Sequence, residues 1–391
     1  PNERLGKKLN ITGKGRCNVT NNTDIEGLLA NIPRNGKFLY GAFTNFSSAD
    51  TMAFFEALGV PLKTERGNRV FPVSDSAFDV SAALERRLKA LRVRIVRDRA
   101  VSLEITDGTV RGVAGERGSY PADGVILATG GVSYPGTGST GDGHRLAAEA
   151  GHTVTPLRGS LVPLQGVIAP GIPCVRLQGL SLRNIGLTVF ENNKKLYTDF
   201  GELLFTHFGV SGPLILSASA HMRYFDKKQY RLEIDLKPAL DEQQLDKRLL
   251  SDFGKYANHD FQNALDDLLP QKLIPVVVQL SEIPGRQKVH DLTREQRQSL
   301  LRVLKHFPVE ISAPCPVEDA IVTSGGVKVG EVNPTTMESK LVKGLYFSGE
   351  IMDVDAYTGG FNLQIAWATG RAAGESAART CLGQDLGGAG A

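Results

Sequence analysis

The sequence lacks the cysteine spacing of zinc-binding and disulfide-rich proteins and the long apolar runs of membrane proteins. Its four cysteines lie far apart, with no C-x-x-C pair and no Cys/His cluster at zinc spacing. This spacing predicts no metal site and favours a reducing, cytoplasmic setting. No apolar stretch approaches the ~20 residues that span a bilayer, so we expect no membrane span and no secretory signal.

Aromatic residues and net charge are also sparse. Aromatics make up 7% of the chain with a single Trp, and 45 Lys and Arg against 42 Asp and Glu leave a net charge of +3. We therefore expect a small-molecule substrate and no nucleic acid, while the oligomeric state stays open. Glycine is the residue in excess, with 43 among 391 residues, and it predicts many tight backbone turns.

The first part of the chain has a mixed α/β pattern. Apolar residues at helical spacing predict a helix from about Ser76 to Leu91, followed by a strand at Val93–Val96. A hairpin is predicted around Asp107-Gly108. The short apolar run before Gly130-Gly131 is typical of a buried parallel strand, and a helix is expected over residues 142–150.

From about Arg158 the pattern changes to period-two strands, then to helices between about residues 240 and 307, and strands return after Ala320. A last helix is predicted over residues 362–380. We therefore predict an α/β domain of residues 1–157 and 341–391. It is interrupted by a β-rich insertion of residues 158–238 and 308–340, which carries a helical subdomain of residues 239–307.

Four glycine-bearing segments could approach a ligand. Gly136-Thr-Gly-Ser-Thr-Gly141 has the G-x-G-x-x-G form of a dinucleotide fingerprint. The predicted strand ends near Ala128, however, so the first glycine comes several residues late, and no acidic residue follows about 20 positions on. A mobile loop that borders a site is the favoured interpretation.

The other three segments each have a ligand-binding and a purely structural interpretation. In Gly13-Lys-Gly-Arg-Cys-Asn18, the glycines would let the backbone approach a ligand and the Arg16 guanidinium would bind it. The structural interpretation of this segment is a surface turn. Ala128-Thr-Gly-Gly131 lies at a strand end, where α/β sheets bind ligands, or is a tight turn. The last segment consists of Ser348–Asp353 and Thr358-Gly-Gly-Phe-Asn-Leu-Gln364. It could present unpaired backbone N–H groups to a ligand at a helix N-terminus, or it could be an ordinary helix capped by Asn362.

Together the motifs resemble those of a known family. Lys7-Lys8-Leu-x-Ile-Thr-Gly-x-Gly-Arg-Cys-Asn-x-Thr-Asn21, Ala128-Thr-Gly-Gly131, Leu204-Phe-Thr-His-x-Gly-x-Ser-Gly-Pro213 and Gly349-Glu-x-x-Asp353 with Gly359-Gly-Phe-Asn-x-Gln364 occur in order. They resemble the YhiN/BaiN-like flavoproteins, which are NAD(P)/FAD-dependent oxidoreductases. The resemblance extends from Glu3 to about Gly374.

The resemblance implies an α/β fold in which a glutathione-reductase-like FAD-binding domain is interrupted by a β-barrel-like insertion with a helical subdomain. It implies FAD as cofactor and NAD(P)H as electron donor. Asp353 would meet a ribityl hydroxyl, and Val101 would contact adenine through its backbone. The residues it assigns to FAD are Lys8, Gly13, Gly15, Arg16, Cys17, Asn18, Val101, Ala128, Thr129, Gly130, Gly349, Glu350, Asp353, Gly360, Phe361 and Asn362.

The start of the chain departs from the family pattern. Members open with a strand, a G-x-G-x-x-G turn, a helix and a second strand that ends in an acidic residue, and this chain begins after that point. For the chain as given, the departure predicts weak FAD retention and an exposed sheet edge. A truncated gene product is the simplest explanation.

The leading functional hypothesis is a flavin-dependent oxidoreductase that passes hydride from NAD(P)H to a small organic acceptor. The alternatives are a flavin-dependent RNA-modifying enzyme and a non-catalytic descendant that has lost tight FAD binding. His207 and Tyr134 are the candidate proton donors, although either could serve only in packing or hydrogen bonding. Without a C-x-x-C partner, Cys17 does not favour a disulfide reductase mechanism.

Overall fold

The computed structural model describes residues 2–383, and the chain divides into two compact units. One unit contains residues 1–160 and 316–391, and the other contains residues 161–315. Pro1 and residues 384–391, at the ends of the predicted α/β domain, lie outside the described residues. Residues 316–340 were predicted in the insertion but lie in the first unit, because the strand that they contain pairs with the strand that ends at Ser160.

The described residues of the first unit form four small sheets. Two are three-stranded and antiparallel, with the orders β1-β3-β2 and β4-β5-β6, while β8 pairs antiparallel with β16 and β7 pairs parallel with β17. The strands are β1 (Thr20–Asn21), β2 (Leu62–Glu65), β3 (Arg69–Pro72), β4 (Ala100–Thr106), β5 (Thr109–Gly115), β6 (Ser119–Pro121), β7 (Val125–Leu127), β8 (Val154–Ser160), β16 (Val322–Val327) and β17 (Leu345–Phe347).

The helices of this unit are α1 (Ile25–Ala30), α2 (Tyr40–Asn45), α3 (Ser48–Ala57), α4 (Ala77–Ala90), α5 (Asp142–Glu149) and α10 (Phe361–Cys381). Of these helices, α10 packs on the parallel pair and α4 packs on β3. The main core joins β7, β17, α5 and α10, and Leu345, Tyr346 and Phe347 are fully buried in it. The structure confirms the predicted helices α4, α5 and α10, the β4–β5 hairpin and the buried strand β7.

One predicted strand is wrong. Val93–Val96 is apolar but takes no strand conformation, and Val93, Ile95 and Val96 are exposed. None of the described residues pairs with this segment in a ladder. A period-two or apolar pattern specifies a strand only where a partner strand completes its hydrogen bonds.

The second unit is a closed six-stranded antiparallel barrel. Its strands follow the order β9-β13-β12-β11-β14-β15, β15 pairs back with β9, and the short β10 joins β9 at one side. They are β9 (Leu164–Ile168), β10 (Ile172–Pro173), β11 (Ser181–Glu191), β12 (Lys194–Phe205), β13 (Gly209–Ser211), β14 (Tyr230–Asp235) and β15 (Phe307–Pro314). The barrel confirms the predicted β-barrel-like insertion and leaves no open sheet edge between its six strands.

The helices of this unit are α6 (Pro213–Ser219), α7 (Glu242–Lys255), α8 (Ile274–Ser281) and α9 (Arg294–Lys305). Helices α6 and α9 pack against barrel strands, and α7 and α8 pack against α9. Capping boxes begin α7 at Asp241 and α9 at Thr293. The helices contribute Leu245, Leu249, Leu300 and Leu304 to the same core as the barrel interior. Within residues 2–383, no helix combines the length and apolarity needed to cross a bilayer.

The close packing of the barrel strands predicts that the stability of the protein depends on Gly209. A Cβ on Gly209 in β13 would lie 2.2 Å from the Leu164 carbonyl oxygen of β9 and 2.8 Å from the Gly166 nitrogen. Because both atoms belong to a hydrogen-bonded backbone, Gly209→Ala should lower the free energy of unfolding by about 1–3 kcal/mol. Chemical denaturation of the purified protein measures this change.

Gly254→Ala is the matched control. Gly254 lies in α7, where an added Cβ meets nothing within 4 Å, so alanine should stabilise the helix by up to about 1 kcal/mol. Equal destabilisation by the two substitutions would contradict the close packing of β9 and β13.

Candidate functional site

A cavity of about 510 Å³ lies in the first unit, at the carboxyl ends of β7 and β17. In α/β sheets this is the edge at which ligands bind. The cavity brings together three of the four predicted segments, which are far apart in sequence. The predicted residues that line it are Lys8, Ala128, Thr129, Gly130, Glu350 and Asn362.

A tight turn after β7 forms one wall of the cavity. Gly130 has φ +74°, and a Cβ on Gly131 would lie 2.2 Å from Thr323 Oγ1 and 2.8 Å from Glu350 Oε1. The backbone nitrogens of Val132 and Ser133 both donate to Thr323 Oγ1, at 2.8 and 3.1 Å. Gly131 is therefore required because the turn packs directly on two polar side chains.

The carboxylate of Glu350 joins three parts of the wall. Its Oε2 accepts from Lys8 Nζ at 2.8 Å, and its Oε1 accepts from the Thr323 backbone nitrogen at 2.8 Å and from Ser133 Oγ at 3.1 Å. Lys8 Nζ also donates to Ser133 Oγ at 2.9 Å. Both oxygens are occupied, so Glu350 fixes the shape of the site and does not present an unpaired carboxylate to a ligand.

Helix α10 begins beside the cavity without a capping side chain. Gly360 occupies the N-cap position with φ +99° and makes no side-chain cap bond. The alternative interpretation of an Asn362 cap is wrong, because Asn362 Oδ1 accepts from the Ala356 nitrogen and its Nδ2 donates to the Ala356 oxygen. The positive end of a helix of six turns is thus available to an electron-rich group.

Close contacts with β1 hold this helix end in place. A Cβ on Gly360 would lie 2.4 Å from the carbonyl carbon and oxygen of Thr20. Gln364 is fully buried, accepts at Oε1 from the hydroxyls of Thr20 and Thr51, and donates from Nε2 to the Phe46 oxygen. The sequence motif contained Gln364 but gave it no role, since its partners are distant in the chain.

Helix α5 supports the turn from the core side. A Cβ on Gly143 would lie 1.9 Å from Thr129 Oγ1, so the helix contacts the turn closely. The next residue, His144, is buried with Nε2 at 3.1 Å from the Ile351 oxygen, which assigns the proton to Nε2. Desolvation lowers the pKa of His144, and the neutral imidazole therefore adds no charge beside Glu350.

The predicted residues 13–18 lie outside the cavity lining. The Arg16 guanidinium binds Glu65 and Asp75 and stacks 4.1 Å above the Phe71 ring, so its fork is already occupied. Cys17 is fully buried, and burial raises the pKa of its thiol to about 12. Gly13 packs against the Asn18 nitrogen, Gly15 has an open Cβ position, and Asn18 Oδ1 is buried without a hydrogen-bond partner among the described residues.

The remaining predicted cofactor residues have protein partners of their own. The Asp353 carboxylate binds Arg34 and Asn35, and the Val101 carbonyl accepts from Arg145 Nη1 at 2.8 Å. The Gly349 nitrogen donates to Thr369 Oγ1. Gly360 and Phe361 contribute to the end of α10 but do not line the cavity.

The two candidate proton donors lie in different units. Tyr134 is 39% exposed and has φ +52°. It begins the glycine-rich loop, whose Thr137, Gly138 and Ser139 line the cavity, so this loop borders the site as expected. His207 belongs to the barrel unit, where it is exposed and contacts Phe208 edge-on.

These surroundings fit a flavin dinucleotide. The positive end of α10 attracts electron-rich groups, while Leu9, Val354 and Trp367 add apolar surface for a planar ring. Residues that sequence reasoning missed are Ser133 and Thr323, which no motif marks, because their roles arise only from the fold around Glu350.

Comparisons with known proteins place the chain among relatives of nearly equal length. Residues 1–376 match the family described as HI0933-like protein Rossmann domain. The chain is 34% identical to a 3-dehydro-bile acid Δ(4,6)-reductase of Clostridium scindens, over 96% of this chain and 91% of the relative. It is 29% identical to a ribosomal RNA dihydrouridine synthase of Escherichia coli, over 94% and 88%.

Among solved structures, the chain is similar to an Escherichia coli quinol fumarate reductase FrdA that carries a mutation. The match has a TM-score of 0.42 and 17% identity and covers 95% of this chain. This chain spans 62% of that structure's chain.

The Gly131 contact predicts a loss of cofactor affinity. Gly131→Ala should displace Thr323 and Glu350 from their bonds and weaken FAD binding at least about tenfold, which corresponds to about 1.4 kcal/mol. Quenching of flavin fluorescence during titration of the apoprotein measures this affinity. Gly136→Ala is the matched control in the same loop, because its Cβ would meet nothing within 4 Å. Equal affinities of the two variants would show that the Gly131 turn does not shape the cofactor site.

Proposed function

Because the chain belongs to the HI0933-like Rossmann-domain family and is an FAD-dependent oxidoreductase, we propose that it uses NAD(P)H to reduce a small organic acceptor. The acceptor class that we favour contains a carbon–carbon double bond conjugated to a carbonyl group. The net reaction consumes NAD(P)H, one proton and the double bond, and it yields NAD(P)⁺ and the saturated carbonyl compound. The cavity that joins Lys8, the turn after β7, Glu350 and the open end of α10 carries this proposal.

The names of the curated relatives support the acceptor class. A Δ(4,6)-reductase acting on a 3-dehydro-bile acid and a dihydrouridine synthase both saturate a double bond that is conjugated to a carbonyl. The reductase shares more identity with this chain and favours a small acceptor. The synthase keeps a uridine base in RNA as the second candidate, since the same chemistry would serve it.

The cofactor would be held by residues of three segments. Bound FAD supplies the two-electron chemistry that links the nicotinamide to the acceptor. Thr129 and Gly130 would hold it along the cavity wall that the Lys8–Glu350 pair fixes, and the N–H groups of α10 near Asn362 would stabilise negative charge on the reduced ring. The Lys8–Glu350 pair supplies no proton, because each partner is bound to the other.

Conjugate reduction also needs a proton donor. We favour Tyr134, because it is partly exposed at the start of the loop that borders the cavity and its left-handed backbone is an uncommon conformation for tyrosine. His207 is the alternative donor. Cys17 is disfavoured, since a thiol whose pKa burial raises to about 12 carries no thiolate at neutral pH.

The first test separates the electron donor from the acceptor. Under nitrogen, the FAD-loaded protein should lose its flavin absorbance on addition of NADH or NADPH and regain it on addition of a conjugated enone. The saturated analogue of the enone is the control and should restore nothing. Flavin that resists bleaching would point to another electron donor, and a protein that binds no FAD would support the non-catalytic descendant.

The second test examines the proton donor. Tyr134→Phe should slow reoxidation by the enone about 100-fold, within the range for loss of a general acid, and leave bleaching by NAD(P)H unchanged. Tyr120→Phe is the matched control, because Tyr120 in β6 does not line the cavity and its hydroxyl donates to Asp98. Reoxidation of Tyr134→Phe at the unchanged rate, with slow reoxidation in His207→Gln, would transfer the role to His207.

A further inference from the structure

A second cavity, of about 390 Å³, lies in the first unit at the start of α10. It shares no lining residue with the cavity at the ends of β7 and β17, which we call the cofactor cavity. Its volume falls within the range of about 300–1,000 Å³ that small-molecule sites have. Six of its nine lining residues carry a polar side chain, and none carries a carboxylate. The six are Asn21, Thr23, Asn31, Asn68, Arg69 and Thr358.

The second cavity adjoins the cofactor cavity along the chain. Thr358, Gly359 and Phe361 line the second cavity, and the next two residues, Asn362 and Leu363, line the cofactor cavity. The first turn of α10 therefore contributes to both cavities, so a group bound in one lies close to a group bound in the other.

Arg69 is the only charged residue in the lining of the second cavity. Its Nε donates to the Arg66 carbonyl oxygen at 3.1 Å, which leaves its two terminal nitrogens for a ligand. None of the described residues gives this guanidinium a carboxylate partner, whereas two carboxylates bind Arg16, the other arginine at the Phe71 ring. A planar guanidinium with open N–H groups binds a phosphate in a bidentate manner.

Asn21 adds a hydrogen-bond acceptor of fixed orientation. The residue is 5% exposed, and its Nδ2 donates to the carbonyl oxygens of Gly67 and Gly359, both at 3.0 Å. Because only the amino end of the amide can donate to a carbonyl, these two bonds determine which end is the oxygen. Asn21 Oδ1 accepts from none of the described residues, and an amide withdrawn from water needs a donor there. A hydroxyl group of a ligand would supply it.

The wall thus combines one open cation with several amide and hydroxyl groups. The side chains of Thr23, Asn68 and Thr358 line the cavity and hydrogen-bond to none of the described residues. A simple carboxylate would use the arginine and leave the amide oxygen without a donor. A ribose phosphate would use both, because its phosphate is an anion and its hydroxyls donate as well as accept. The lining therefore favours a phosphorylated sugar.

We propose that the second cavity binds a ribose phosphate portion of the reduced nicotinamide cofactor, with the phosphate on Arg69 and a ribose hydroxyl on Asn21 Oδ1. The identity of the ligand rests on the proposed function, in which NAD(P)H is the electron donor, and the inference adds the place where that donor binds. The donor would then be held beside the FAD site by residues that do not line the cofactor cavity.

The first experiment measures binding without turnover. Isothermal titration calorimetry of the FAD-loaded chain compares ribose 5-phosphate with ribose and with inorganic phosphate, and the unaltered protein should bind ribose 5-phosphate most tightly. Arg69→Gln should weaken that binding at least about tenfold, since it removes a charged hydrogen-bond donor. Asn68→Asp should weaken it similarly, because it adds a carboxylate to the same wall. Asp adopts the left-handed backbone of Asn68, with φ +58°, as readily as Asn does.

Arg111→Gln is the matched control. Arg111 in β5 is exposed, does not line the second cavity and has no acidic partner among the described residues. Its replacement removes the same charge and should leave the affinity for ribose 5-phosphate unchanged. Equal weakening by Arg69→Gln and Arg111→Gln would overturn the proposal. So would an unaltered chain that binds ribose 5-phosphate no better than inorganic phosphate.

The second experiment links the cavity to the electron donor. In anaerobic stopped-flow bleaching of the flavin, Arg69→Gln should raise the half-saturating concentration of NADH or NADPH about tenfold and leave the limiting rate unchanged. An unchanged half-saturating concentration would overturn the assignment to the nicotinamide cofactor while the proposed reductase function stands. Flavin that NAD(P)H does not bleach in the unaltered chain would contradict the proposed electron donor and this assignment together, and calorimetry would still show whether the cavity binds a sugar phosphate.

Discussion

The candidate site depends on one partly buried carboxylate. Glu350 receives a charged bond from Lys8, a hydroxyl bond from Ser133 and a backbone bond from Thr323. Its side chain is 18% exposed, and a carboxylate withdrawn from water needs such partners to repay its desolvation. Because the three partners belong to the N-terminal segment, the turn after β7 and β16, the charge that must be satisfied also fixes these elements around the cavity.

Glycine makes that arrangement possible at two places where a Cβ would collide with a neighbouring group. Gly131 allows the turn to contact Thr323 and Glu350, and Gly360 allows α10 to begin against Thr20. Gln364 then anchors the first turn of α10 by three buried hydrogen bonds. The helix end is thereby oriented before any ligand arrives, and a fixed dipole stabilises charge without reorganisation.

Local patterns in the sequence predicted most of the elements, and the family match confirms the resemblance and the Rossmann-type FAD-binding class. Helical periodicity identified α4, α5 and α10, because each has one buried face that its own sequence records. The sequence could not predict which polar groups pair across hundreds of residues. Arg16 and Asp353 have the chemistry of cofactor ligands, yet Glu65, Asp75, Arg34 and Asn35 satisfy them first. The prediction of a strand at Val93–Val96 was wrong because a strand needs a partner strand for its hydrogen bonds, and none of the described residues supplies one.

The charged side chains of the cavity neutralise one another, so the cavity would discriminate between cofactors better than between acceptors. Lys8 and Glu350 satisfy each other, and His144 is neutral, so the field in the cavity comes mainly from the uncapped end of α10. That dipole favours an electron-rich ring and is indifferent to the shape of the molecule that the ring reduces. Recognition of the acceptor would therefore come from groups outside the paired set, such as those of the bordering loop. A site of this kind would not select an acceptor by itself, which agrees with relatives that are named for substrates as different as a bile acid and ribosomal RNA.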